Sequence, residues 1–195
     1  MASDPAAAKR ALRAEIRARR RIMPAAERER ASAAITKRLI ELTRSVGAKS
    51  VAAYLSTADE PSTRGFLAWA HAAGIRVLLP ISRPDGLLDW APYDGQGEEL
   101  DWLGMPQPTS ELLSPLAVGD VDLIIVPAAA VDRSGMRMGW GRGYFDRTIG
   151  SMERRPPVYA VVFDPELVDA VPSERHDEPV DGAVTPSATV TFPIE

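Results

Sequence analysis

Cysteine is absent from the 195 residues, which excludes disulfides, cysteine–zinc sites and a thiol nucleophile. Histidine is scarce: His71 and His176 lie far apart, and two isolated imidazoles make no zinc site. No apolar run approaches the ~20 residues that span a bilayer, so no membrane partner is expected. The opening stretch MASDPAAAKRALRAEIRARRR lacks the continuous apolar core of a secretory signal. With no cysteine to pair, a cytoplasmic location is expected. No G-x-S-x-G elbow is present, so a serine hydrolase has no support. Nor does G-x-x-x-x-G-K-[ST] occur, which excludes a Walker loop.

What is present fits a globular chain. Hydrophobic residues make up 45% and charged residues 26%, ordinary values for a chain long enough to bury a core. The length suits one domain, taken as 1–195, and a monomer is expected. Net charge is −4, so no nucleic-acid partner is expected from global attraction. The charge is uneven: Lys9 to Arg44 is basic and Asp164 to Asp181 acidic. The basic segment leaves a nucleic-acid binder as one alternative, against which stand the net acidity and the lack of a known binding motif.

Periodicity and turn residues predict helices over 6–21, with Leu12 and Ile16 one turn apart, and over 25–45, ended by Gly47. A strand is predicted over 50–55. A helix capped by Ser62 should run through Ala73 and close at Gly74. Strands follow over 75–79, stopped by Pro80, and over 87–93, after the turn at Pro84, Asp85 and Gly86. Residues 94–119 carry many Gly and Pro and read as a long loop with at most short elements. The apolar run 121–126 reads as a central buried strand. A helix from near Gly143 to about Met152 and strands over 158–163 and 183–190 complete the chain. Strands alternating with helices imply an α/β fold: one three-layer domain with a mostly parallel central sheet and an N-terminal helical segment.

The most informative stretch runs from Asp122 through Pro127, Asp132, Gly135, Arg137, Gly139, Gly141, Arg142 and Gly143 to Asp146. A buried strand leads into alternating glycines and then a helix. Glycines let backbone N–H groups approach an anion, and a helix N-terminus adds free donors. Arg137 and Arg142 add fork-shaped donors for phosphate oxygens. The combination predicts a polyphosphate site over a plain turn-rich connection. The spacing is G-x-G-x-G, which is not the dinucleotide fingerprint. Asp164 follows at roughly the expected ~20 residues, so a nicotinamide oxidoreductase is a second alternative.

These residues carry a resemblance. The run from Asp122 to Asp146 resembles the signature of 5-formyltetrahydrofolate cyclo-ligases, roughly D-L-I-x-V-P-G-x-A-F-D-x-x-G-x-R-L-G-x-G-x-G-Y-Y-D. Lys9-Arg10-x-Leu12-Arg13 resembles that family's first-helix motif. Tyr54-Leu55 with Asp59-Glu60 resembles its first strand and folate turn, and Pro106-Gln107-Pro108 its mid-chain motif. His176-Asp177 through Thr185 resembles its closing segment. In departure from the pattern, Phe145 replaces a tyrosine, Met138 a leucine and Ala128 a glycine, and Gln107 stands where many relatives have glutamate.

The resemblance implies ATP-dependent closure of 5-formyltetrahydrofolate to 5,10-methenyltetrahydrofolate, with Mg²⁺ as cofactor. It implies ATP contacts from Lys9, Arg10 and Arg13, and from Arg137, Met138, Gly139, Trp140, Gly141, Arg142, Gly143, Tyr144 and Phe145. Folate contacts are implied for Arg13, Leu55, Glu60, Trp140, Gly141, Arg142, Gly143 and Tyr144, catalytic roles for Arg137, Arg142 and Tyr144, and metal at Asp146 and Asp177. On the residues alone, Lys9 and Arg13 share a helix face beside the Leu12/Ile16 stripe, where a solvated basic face is the plain reading that the resemblance reverses; Arg17, Arg19, Arg20 and Arg21 read as that solvated face. Glu60 can accept paired N–H donors of a pterin, but on the residues alone an exposed loop acid before Pro61 is the better reading, and the folate contact is what the resemblance implies. Asp146 and Asp177 suit Mg²⁺, which takes one or two carboxylates plus phosphate oxygens; helix-start and turn roles compete. Asp132 fits an Asx turn better than a metal. His71 reads as structural, and His176 as a neighbour positioning Asp177.

Overall fold

The computed structural model describes residues 4–193; the expected unit 1–195 also takes in 1–3 and 194–195, which lie outside the described residues. Helix α1 (Pro5–Arg21) begins where Asp4 Oδ1 accepts the Ala6 N–H at 3.1 Å and Pro5 occupies the first turn. Arg19, Arg20 and Arg21 sit in its last turn, where cations favour the dipole. Helix α2 (Ala25–Ser45) follows Pro24 and buries Ala31, Ile35, Leu39 and Leu42 along one face.

The remaining elements are β1 (Ser50–Ala52), α3 (Arg64–Ala72), β2 (Arg76–Ser82), β3 (Leu88–Pro92), β4 (Glu98–Leu100), β5 (Pro106–Pro108), β6 (Leu123–Pro127), β7 (Ala130–Asp132), β8 (Arg137–Met138), α4 (Tyr144–Gly150), β9 (Val158–Val161), β10 (Leu167–Val168), β11 (Gly182–Val184) and β12 (Thr189–Thr191). Short 3₁₀ turns span Pro115–Asp120 and Asp164–Glu166. The main sheet has seven strands in the order β12-β11-β9-β6-β1-β2-β3. Its five inner strands are parallel, and β12 and β3 run antiparallel at the edges. The predicted central strand is indeed β6.

Alternation along the strands sorts two cores. Val51, Val77, Leu79, Leu123, Ile125, Tyr159 and Val161 face α2 and α3. Ala52, Leu78, Ile124, Val126, Val158 and Ala160 face Ile149 of α4 and Val118 of the first 3₁₀ turn. A third cluster joins Ile16 and Leu12 of α1 to Ala130, Met138 and Val168 of a small sheet ordered β10-β7-β8. The Leu12/Ile16 stripe thus buries against that small sheet.

Several local expectations differ. Pro80 does not stop β2. Ala53 N–H bonds Leu78 O, so residues 78 and 80 face β1; Tyr93 N–H bonds Val77 O, so residues 77 and 79 face β3. The N–H that proline lacks therefore falls on the β1 side, just past the end of β1. The predicted strand 183–190 is two strands folded as a hairpin around Pro186 and Ser187. The predicted strand 50–55 ends at Ala52 and the predicted 158–163 at Val161. Residues 94–119 hold the β4–β5 hairpin. Thr63 stands at the start of α3 with its hydroxyl donating to Tyr54 O at 2.6 Å, while Ser62 Oγ, one residue earlier, accepts the Arg64 N–H at 3.4 Å. Helix α4 ends two residues early, at Gly150.

Candidate active site

The β7–β8 hairpin shapes the glycine loop. Asp132 Oδ1 accepts from Ser134 N–H (2.9 Å), Ser134 Oγ (2.6 Å) and Met136 N–H (3.1 Å), and Oδ2 accepts Val171 N–H at 3.1 Å. This is the expected Asx turn, tied also to the strand β10 region. It delivers Arg137, which is 3% exposed. Arg137 Nη2 bonds Asp146 Oδ1 at 2.6 Å, so the arginine and aspartate expected for phosphate and metal face each other. Gly141 (φ +94) and Gly143 (φ +69) are left-handed. A Cβ on Gly141 would also lie 3.3 Å from the Arg13 guanidinium. Gly143 caps α4 in that conformation.

Helix α1 is tied to the surroundings of the site by three residues, of which Arg13 bonds the loop itself. Lys9, 5% exposed, bonds Asp177 at 2.6 Å and Glu174 at 2.8 Å. Burial works to lower its pKa, but those bonds outweigh it and raise the pKa. Arg13 Nε donates to Gly139 O at 2.8 Å; burial, then neighbouring Arg17, lower its pKa. Arg20, expected on a solvated face, is 1% exposed and grips Glu166 with two bonds of 2.8 Å. The correction has a plain cause: Glu166, the last residue of the second 3₁₀ turn, is itself buried and needs a cation. Arg10, by contrast, is exposed.

Two cavities meet at the loop. The first, about 370 Å³, is lined by Leu55, Glu60, Leu103, Met105, Trp140, Tyr144 and Phe145, with Arg137 in its wall. The second, about 780 Å³, is lined by Lys9, Arg10, Arg13, Met138, Gly141, Arg147 and Asp177. Gly139, Arg142, Gly143 and Asp146 line both. The first cavity is mainly apolar, and of the carboxylates that border it, Asp59, Glu60, Asp101 and Asp146, Glu60 alone is buried; the second is more polar, with Lys9, Arg10, Arg13, Arg142 and Arg147 on its walls. Both fall in the size range of small-molecule sites. Trp140, Tyr144 and Phe145 thus border the first cavity, and Arg13 and Gly141 the second.

Glu60 is 7% exposed, so the exposed-loop reading fails. Its Oε2 accepts Thr57 N–H at 2.9 Å and Thr57 Oγ1 at 3.1 Å. Burial pushes its carboxyl above the ordinary range. Burial likewise pushes Tyr54 well up. Among the described residues five buried side-chain N or O atoms lack a partner. Four of them, on Arg20, Tyr54, Arg137 and Trp140, belong to residues around the first cavity. All four groups can donate, so this cavity suits a ligand with acceptors. Tyr144 uses its hydroxyl on Arg83 O at 3.0 Å and offers its ring.

Asp146 Oδ1 takes Arg137 and the Glu178 N–H; Asp177 Oδ2 takes Lys9 and the Glu174 N–H. Each keeps its second oxygen for the shared cavity. Among the described residues no cluster of three His, Asp or Glu surrounds a metal position. Two carboxylate oxygens beside a cation-lined cavity nevertheless suit Mg²⁺ arriving with a polyphosphate. His176 is exposed and 3.9 Å from Asp177. His71 packs edge-on to Tyr93. Gln107 bonds Glu99 at 3.0 Å, away from either lining.

The sequence missed Leu103 and Met105, which enter from the β4–β5 hairpin tip, and Arg147, which bonds Gly86 O and Arg142 O. A hydrophobic pair inside a glycine-rich stretch was the available signal. Asp164, considered for a nucleotide ribose, instead accepts from Ser187 and lines neither cavity. The glycine loop follows a short hairpin and opens onto a seven-residue helix, unlike a dinucleotide fold's strand–turn–helix.

A sequence profile of the 5-formyltetrahydrofolate cyclo-ligase family matches residues 5–186. The chain is 36% identical to a 5-formyltetrahydrofolate cyclo-ligase of Mycolicibacterium smegmatis, over 90% of this chain and 92% of that one. It is 32% identical to that of Escherichia coli K12, over 88% and 97%. The fold is shared with the NMR structure of Aquifex aeolicus 5,10-methenyltetrahydrofolate synthetase at TM-score 0.80, with 24% identity and coverage of 96% and 94%.

Proposed function

The chain belongs to the 5-formyltetrahydrofolate cyclo-ligase family, and we propose that it converts 5-formyltetrahydrofolate and ATP to 5,10-methenyltetrahydrofolate, ADP and phosphate. One observation carries the assignment to this geometry: the apolar cavity and the cationic cavity share Gly139, Arg142, Gly143 and Asp146 as a common wall. Two substrates placed there meet across the loop. Glu60, the buried carboxylate of the apolar cavity, pairs with pterin N–H donors. Lys9, Arg10, Arg13 and Arg142 face the triphosphate.

An amide oxygen is a poor leaving group, and phosphorylation repairs that. The formyl oxygen bonds the γ-phosphorus as the bond to the ADP oxygen breaks. N10 then attacks the formyl carbon, loses its proton, and the C–O bond breaks to release phosphate. The chain supplies no covalent nucleophile in this scheme; it orients and neutralises charge. Arg142 borders both cavities, and none of the described residues accepts from its guanidinium, so it is free to follow the moving phosphoryl group. Arg137 holds Asp146 in place, and the Tyr144 ring walls the pterin side. Mg²⁺, held by the free oxygens of Asp146 and Asp177, would neutralise phosphate charge. A monomer in the cytoplasm is the expected setting; no helix among the described residues is long and apolar enough to cross a membrane.

The test is direct. Protein, ATP, Mg²⁺ and 5-formyltetrahydrofolate are mixed and near-UV absorbance is followed. The product's conjugated amidinium absorbs where the substrate does not, so absorbance rises. Folded protein giving no rise would refute the function.

A further inference from the structure

Trp140 is a large ring on an unusually soft mount. Glycines flank it on both sides, Gly141 in a left-handed conformation. Its indole Nε1 is buried and finds no acceptor among the described residues. No hydrogen bond therefore fixes the ring. Two cations do approach it: the guanidinium carbons of Arg17 and Arg20 each lie 5.0 Å from the ring centroid. Of these, Arg17 is exposed and Arg20 is fixed. Arg20 Nε and Nη2 hold both Glu166 oxygens at 2.8 Å, and Nη2 also bonds Ala128 O at 2.9 Å. Glu166 Oε2 is in turn anchored by Phe163 N–H at 2.8 Å.

We propose that Arg20 is a positioning residue for the reaction: pinned by Glu166 and Ala128, it holds the Trp140 indole as the wall of the apolar cavity. The inference rests on the reading that this cavity takes the folate. A surface arginine would lend the ring little, because a solvated cation–π contact is weak; a desolvated one is strong enough to set a ring's place. The buried pair thus carries a geometric role beyond joining α1 to the segment after β9. The indole N–H, left without a protein acceptor, then meets a ligand acceptor at a defined position.

The test replaces the pair as a unit, Arg20→Met with Glu166→Met, because apolar substitution of a buried ion pair is often neutral for stability. The expected result is a roughly tenfold higher KM for 5-formyltetrahydrofolate with KM for ATP unchanged. In a Trp140→Leu background the same double change should add nothing further, since both act through one ring. Acrylamide quenching of Trp140, taken by difference against Trp140→Phe, should rise without reference to turnover. If the double variant does not fold, Arg20→Lys, which keeps charge but loses the two-pronged grip, should show the same pattern more weakly. An unchanged folate KM with unchanged quenching overturns the proposal, as does an equal penalty with and without Trp140. An inactive parent would instead refute the proposed function, and quenching would still decide whether Arg20 holds the ring.

Discussion

Glu60 sits in a place that opposes its own charge. It is 7% exposed, and burial raises its pKa above the ordinary value near 4.5. A carboxyl with a raised folded pKa stabilises fully below its unfolded pKa, and that contribution is lost as pH rises through the folded value. At neutral pH the ionised group is therefore a strain on the fold that a ligand's N–H donors relieve. Glu60→Gln should accordingly melt higher than the parent at pH 7, with the gap closing as pH falls toward 4.5. The same change should weaken 5-formyltetrahydrofolate by about 1.5–3 kcal/mol, roughly ten- to a hundredfold, and leave ATP binding intact. Melting curves against pH and calorimetric titration with each ligand check both halves. Arg137 shows a different balance. It was expected to face phosphate, and the structure spends two of its three nitrogens on Asp146 and Pro127 O. The bond to Asp146 orients that carboxylate, and Arg137 Nε, buried in the wall of the first cavity, has no partner among the described residues.

The glycine loop is an element whose backbone, more than its side chains, sets the site. Gly141→Ala would place a methyl in a left-handed conformation and within 3.3 Å of the Arg13 guanidinium. Strain of this kind costs on the order of 1 kcal/mol, and the Arg13 guanidinium, which lines the second cavity, must also give way slightly. A lower melting temperature together with a higher KM for ATP is expected. Gly119→Ala, where a Cβ meets nothing within 4 Å, should change neither. The elements that the sequence disclosed are those with a strong period or a clean stop: α1, α2 and the apolar β6. Those it hid have a tertiary cause. Pro80 reads as a stop unless one knows that β1 has already ended beside it. The two-residue strands β8 and β10 are too short to show alternation, and the partner of β10 lies far away in sequence. Site legibility follows the same rule. The loop glycines are visible locally; Glu60 stands out only through the family resemblance, since by itself it reads as an exposed loop acid, and Arg20 reads as one more charge on a basic helix until Glu166 is placed opposite it.

Across the whole molecule, the site joins the two ends of the chain. Lys9 near the start and Asp177 near the close are 168 positions apart and 2.6 Å from each other. Asp146, in the middle, lines the same cavity as both. Each aspartate thus has a structural job, pairing with Lys9 or Arg137, and an oxygen left over. This changes what a substitution means. Asp177→Asn and Asp146→Asn should both lower the melting temperature of the free protein, because each leaves a buried cation less well paired. Loss of stability alone therefore does not separate a tether from a metal ligand. The separating measurement is the extra stabilisation that Mg²⁺ adds when ATP is already saturating. A ligand that binds only the folded state raises stability in proportion to the logarithm of its occupancy. In the parent, Mg²⁺ should add a further rise in melting temperature over ATP alone. In Asp146→Asn and Asp177→Asn that increment should shrink, the Mg²⁺ concentration for half-maximal turnover should climb, and the double change should not simply sum, since neighbours at one ion couple. If both variants keep the parent's full Mg²⁺ increment while melting lower, the two carboxylates are tethers between chain ends and the metal is held elsewhere.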